Sequence, residues 1–138
     1  MRNVFLILFF VLFSGRVFSQ ATPQELSKAF ANSLLNYNEE KLKALLPADP
    51  QVQKAILEKL KEISSTDLKP LKGSKTLSSS TRAVLKDGDK IYKERADIFI
   101  IITDNKDLKY ELKLWGCGKI GDKWQLGDKV ESEKIAVF

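Results

Sequence analysis

Proton transfer near neutral pH, imidazole metal ligation and Ser–His or Cys–His nucleophiles all require histidine, and this chain has none. Its carboxylates also lack the spacing of a cation site. What remains for acid–base work is a carboxylate sheltered enough to have a raised pKa. Asp97 is the candidate, because it stands at the edge of an apolar strand with Tyr92 or Tyr110 to assist. The plainer reading makes Asp97 a surface ion on an exposed edge shared with Lys93 and Arg95. Glu111, flanked by Lys109 and Lys113, alternates to a wet face and reads as a cross-strand charge partner. The residue types point to a protein that is not an enzyme and carries neither metal nor cofactor.

The stretch KLWGCGKIGDKWQLG, from Lys113 to Gly127, contains a literal G-x-G-x-x-G, the only cysteine and both tryptophans. A dinucleotide fingerprint must open a helix and leave room for a second strand with an acidic residue about 20 positions on. Only 17 residues follow Gly121, and they read as strand. The glycines therefore predict shape. Gly116 and Gly118 mark a bulge or sharp bend, and Gly121 belongs to a hairpin turn that delivers Trp124 to the core. Cys117 shares parity with Lys113 and Trp115, but a bulge would reset it. A buried thiol is the default reading, and an intermolecular disulfide is the alternative.

The first third has helical periodicity. TPQE at Thr22–Glu25 is a capping box with Pro23 at the first helical position, followed by a stripe of Leu26, Phe30, Leu34 and Tyr37. Asn36 to Asn38 punctuate, and NEEKLKALLP begins a second helix that Pro47 stops. Asp49 and Pro50 open a third, with the stripe Val52, Ile56, Leu60 and Ile63. Ser64 to Thr81 reads as a connecting loop, in which Lys69, Lys72 and Lys75 make a solvated run or a basic patch. Thr81–Lys86, Lys90–Thr103, Leu108–Ile120 and Trp124–Val130 then read as strands joined by hairpin turns. The run Ile98–Ile102 does not alternate, so both its faces must be covered. The fold class expected is α+β, with N-terminal helices packed on a curved antiparallel sheet.

Arg2, the apolar run Val4–Phe13 and small residues before Gln20 compose a cleaved export signal over residues 1–19. The run is too short to span a bilayer, which takes about 20 apolar residues. Residues 20–138 are then one domain, in the periplasm or outside the cell. Arg2 and Arg16 leave with the signal, so 23 basic residues against 18 acidic become 21 against 18. That mild excess, without a basic stripe interleaved with aromatics, excludes nucleic acid as the expected partner. A lone cysteine in an exported chain forms no internal disulfide.

LLNYNEEKLKALLP, Leu34–Pro47, resembles the helix–turn–helix opening of the nuclear-transport-factor-2-like superfamily. LKYELKLWGCGKIGDKWQLG resembles its last long strand pair. The resemblance implies a cone-shaped roll with Leu34, Tyr37, Leu42, Leu45, Leu112, Leu114, Trp124 and Leu126 as core positions. A cystatin-like roll is the close alternative. The functional expectation is an exported, non-catalytic binding or interaction module with a small apolar pocket. Tyr37, Ile98, Ile100, Trp115 and Trp124 are its candidate pocket or interface residues. One alternative is an envelope assembly protein, a homodimer through the outer sheet face using Phe99, Ile101, Trp115 and Cys117. The other is a pocket enzyme using Asp97. Mass spectrometry of the exported protein should read Gln20 as the first residue; an intact Met1 start would overturn the export reading.

Overall fold

The structure is a computed structural model that describes residues 20–72, 77–104, 109–127 and 129–135. The expected signal segment and Lys75 lie outside these residues. Helix α1 runs Pro23–Leu35, α2 Glu39–Lys43 and α3 Pro50–Glu62. Each starts on a side-chain oxygen that accepts an otherwise unpaired amide of the first turn. Thr22 Oγ1 takes the Glu25 N–H at 3.1 Å, Asn38 Oδ1 takes that of Lys41 at 3.1 Å, and Asp49 Oδ1 takes that of Gln51 at 2.9 Å. Leu26, Ala29, Phe30 and Leu34 bury one face of α1. Tyr37 falls outside the helix, in the turn, and only packs against the core's margin.

The stripe of α3 differs from expectation. Val52 is 37% exposed, whereas Leu57, Leu60 and Ile63 are buried and Ile56 is half-buried. Only the C-terminal half of α3 reaches the core, so its first turn overhangs into water.

Residues 64–72 also depart from the expected loop. α3 continues as a π-helical turn, Ile63–Asp67, and then a 3-10 turn, Lys69–Leu71. The hydroxyls that make this segment look loop-like bond back into it. Ser65 Oγ donates to the Lys61 carbonyl at 2.9 Å and Thr66 Oγ1 to that of Glu62 at 2.6 Å. Ser64 Oγ crosses to the Leu34 carbonyl at 2.7 Å, tying α1 to the end of α3. Leu68 and Leu71 enter the core, while Lys69 and Lys72 stay exposed.

Five antiparallel strands follow: β1 Ser78–Lys86, β2 Glu94–Thr103, β3 Lys109–Ile120, β4 Lys123–Gln125 and β5 Lys129–Ile135. The fold is thus α+β, three helices against one curved open sheet. β2 pairs with β1 on one side and β3 on the other. On its far side β3 has two neighbours, β5 along Lys109–Trp115 and β4 along Gly118–Ile120. The expected last strand therefore divides at Leu126–Gly127, where the Leu126 N–H leaves the sheet to bond the Leu45 carbonyl at 2.8 Å. Residues 90–93, expected in β2, form a loop held by Asp89 Oδ1, which accepts the Ile91 and Tyr92 N–H groups at 2.9 and 2.8 Å.

Ile98, Ile100, Ile102, Tyr110, Leu112 and Leu114 face the helices and are buried. The cores of α1 and α3 meet there with Trp124 and Leu126. Phe99, Ile101 and Trp115 lie on the opposite, outer face and are half-buried. Leu60→Ala should destabilise the fold by about 2–5 kcal/mol, while Val52→Ala costs no more than about 0.5 kcal/mol. Urea unfolding measures both, and equal losses would overturn this placement of α3.

Candidate functional site

β2 and β3 slip by one residue between Ala96–Cys117 and Ile98–Leu114, so Asp97 faces both Trp115 and Gly116. Such a bulge puts an extra residue into one strand, here β3. Gly116 has φ +66°, a left-handed conformation that glycine adopts without steric penalty. Asp97 Oδ1 accepts the Gly116 N–H at 2.9 Å, and Arg95 Nη2 donates to the Gly116 carbonyl at 2.8 Å. On the far side Gly127 presses so close that a Cβ would come 2.0 Å from that carbonyl oxygen. The bulge is clamped by side chains of β2 and by the bare backbone of the segment between β4 and β5.

Asp97 is 5% exposed, and Lys86 Nζ sits 2.5 Å from its Oδ2. Burial pushes its pKa up, but the Lys86 hydrogen bond, the Gly116 N–H and the charges of Lys86 and Arg95 outweigh it. The net direction is down. The raised pKa expected of a general acid is absent, and so is the exposed edge of the plainer reading; this carboxylate is a buried clamp. Tyr110 is on the opposite face, buried among core residues. The Tyr92 ring covers Gly118, where a Cβ would lie 2.2 Å from it, and the Arg95 guanidinium stacks 4.9 Å from its centroid.

The bulge also decides Cys117. It resets the parity of β3, so Cys117 pairs with Ala96 on the core face and is 0% exposed. The default reading of a buried thiol holds, and Cys117 drops out of the outer-face contact. Trp115, before the bulge, stays on the outer face. Its indole N–H donates to Glu131 Oε1 at 2.7 Å, and its ring meets Phe99 edge-on at 5.4 Å, with Arg82 4.6 Å over the Phe99 ring.

The candidate pocket residues, Trp115 apart, are brought into or against one packed core. Ile98, Ile100 and Trp124 are filled core, Trp115 is on the other face, and Tyr37 borders the α1–α2 turn. Burial, then the negative charge of Glu39, raises the Tyr37 pKa, yet its buried hydroxyl is outside hydrogen-bonding geometry.

Open clefts lie elsewhere, on both sides of α1. One, of about 170 Å³, separates α1 from the β1–β2 end of the sheet and is lined by Lys28, Ala31, Asn32, Leu35, Leu77, Ser78, Ser79 and Ile102. Another, of about 280 Å³, is lined by Asn32, Ser33, Asn36, Asn38 and Lys41. Sequence reasoning missed both, because the asparagines read as helix punctuation. Asn32 and Ser33 inside a helix, where neither residue type is favoured, were the available signal. Among the described residues no three Cys, Asp or Glu side chains converge as metal ligands. No family model, curated protein or solved structure matches this chain.

Asp97→Ala strands the Gly116 N–H and should cost about 1–3 kcal/mol, whereas Asp97→Asn keeps the acceptor and costs less. The folded pKa lies below the unfolded one. Asp97 therefore stabilises fully at neutral pH, and the contribution is lost as pH falls below about 4 toward the folded value. Acid unfolding of Asp97→Asn should show a shallower loss over that window; an unchanged pH profile would count against the clamp.

Proposed function

We propose that this protein is an exported, non-catalytic binding module whose ligand has an apolar part that rests in the α1–β1 cleft. The observation that carries the reading is that Ala31, Leu35, Leu77 and Ile102 give this opening an apolar floor within a polar rim. The α+β layout is compatible with a roll of the nuclear-transport-factor-2-like or cystatin-like kind. Here, however, the interior of the roll is occupied by side chains, so the ligand sits at its flank. The ionised clamp at Asp97 and the lack of histidine favour binding over chemistry.

A second reading, a homodimer through the outer sheet face, is favoured by the half-buried Phe99–Ile101–Trp115 cluster. On that face β1 carries Arg82 and Lys86, while β5 carries Glu131 and Glu133. A two-fold axis parallel to the strands would set each copy's β1 over the other's β5, as a self-complementary interface requires.

The purified chain should bind an environment-sensitive apolar dye at one saturable site. Leu35→Gln, folded by circular dichroism, should weaken that binding at least about fivefold, the loss of one buried apolar contact. Absence of binding, or an unaffected variant, sinks the cleft reading. Sedimentation at micromolar concentration decides the second: a strict monomer excludes the homodimer.

A further inference from the structure

We infer that the polar cleft beside the α1–α2 turn holds the carboxylate of an amphiphilic ligand whose apolar tail lies in the α1–β1 cleft. This rests on the function proposed above and names the class of ligand. The two clefts share Asn32. At 3.6 residues per turn, Lys28, Ala31 and Leu35 fall on one side of Asn32 around α1, and Ser33 and Asn36 fall on the other. A ligand of a few carbons beyond its head group crosses from one cleft to the other over a single side chain.

Charge sets the sign of the head. Among the described residues the linings include two lysines, Lys28 and Lys41, and no carboxylate. Neither lysine makes an ion pair among the described residues. Glu39, two residues before Lys41, pairs instead with Lys43 at 3.9 Å.

Unspent hydrogen bonds set the chemistry. Ser33 is only 4% exposed and lines the polar cleft, yet its hydroxyl makes no hydrogen bond among the described residues. That hydroxyl is available to donate to an incoming acceptor. Among the described residues the side-chain amides of Asn32 and Asn36 are likewise uncommitted, and Asn38, whose Oδ1 caps α2, makes no bond through its amide N–H₂. Three amides, a hydroxyl and an ammonium around one opening are a donor set for a carboxylate. Among the described residues no aromatic ring lines either cleft, which leaves a sugar no stacking surface there.

The test is an NMR titration of the purified chain with octanoate, octanol, octylammonium and acetate, each below its aggregation threshold. Octanoate should shift the Asn32 and Asn36 side-chain amides together with the Leu35 and Leu77 methyls. It should bind about tenfold tighter than octanol, as one charge-assisted contact allows. Lys41→Gln should remove that advantage, bringing octanoate down to the affinity of octanol for the same variant. Ser33→Ala should weaken octanoate alone by a smaller factor. Equal affinities for octanoate and octanol, with the asparagine amides unmoved, overturn the head-group site but leave the apolar cleft standing. Octylammonium binding as tightly as octanoate overturns it as well. Failure of all four probes overturns both this inference and the function on which it rests.

Discussion

Everything on the C-terminal side of the sheet depends on one backbone irregularity, the extra residue in β3 at Trp115–Gly116. It lies where the far-side neighbour of β3 changes from β5 to β4. A regular strand of twelve residues would keep one partner along its length and hold its face to the end. The bulge breaks the ladder and turns the strand, and so frees the segment at Leu126–Gly127 to leave the sheet and bond the helical layer through Leu45. Three groups hold it in place: the Asp97 carboxylate, the Arg95 guanidinium and the bare Cα of Gly127.

The clamp explains why an acid buried in an apolar strand does not have a raised pKa. Desolvation and pairing act on Asp97 in opposite directions, and pairing prevails because an ammonium and a backbone N–H both reach its oxygens. Neighbouring charges form the same kind of closed account on the outer face. Glu131 is held below the ordinary carboxylate range first by the Trp115 indole N–H, and Lys113 is raised by its bond to Glu133. Asp97, Lys113 and Glu131 are each paired on the sheet, whereas the side chains of Asn32, Ser33 and Asn36 on α1 and its C-terminal turn make no hydrogen bond among the described residues. That contrast directs the functional reading to the helix and away from the sheet.

Much of the fold was legible along the chain. The caps at Thr22 and Asp49 stand where short polar side chains precede apolar periodicity, and both accept first-turn amides as expected; Asn38, read only as punctuation, caps the second helix as well. Leu112 and Leu114 alternate with Lys113 because one face of β3 meets the helices. Ile98–Ile102 departs from expectation: its even positions are buried against the helices, but Phe99 and Ile101 are only half-buried on the outer face, where Arg82 and Trp115 pack on the Phe99 ring. The serine- and threonine-rich segment after Ile63 was misleading. Its hydroxyls stabilise a helical turn as readily as they stabilise a loop, and only contact with α1 selects between the two.

Sequence alone determined what depends on residue type and local period: the helical openings, the strand faces, the absence of imidazole chemistry and the structural use of the glycines. Tertiary structure decided what depends on partners distant in the chain. Asp97 became a clamp because Lys86 and Gly116 arrive from two different strands. Cys117 turned inward because a bulge shifts parity by one, which periodicity cannot register in advance. The asparagines of ANSLLNYN became a cleft, rather than a helix end alone, because Lys41 returns to them from the next helix. Local rules act over a few residues, whereas burial, pairing and concavity are properties of surfaces that meet only after the chain has folded.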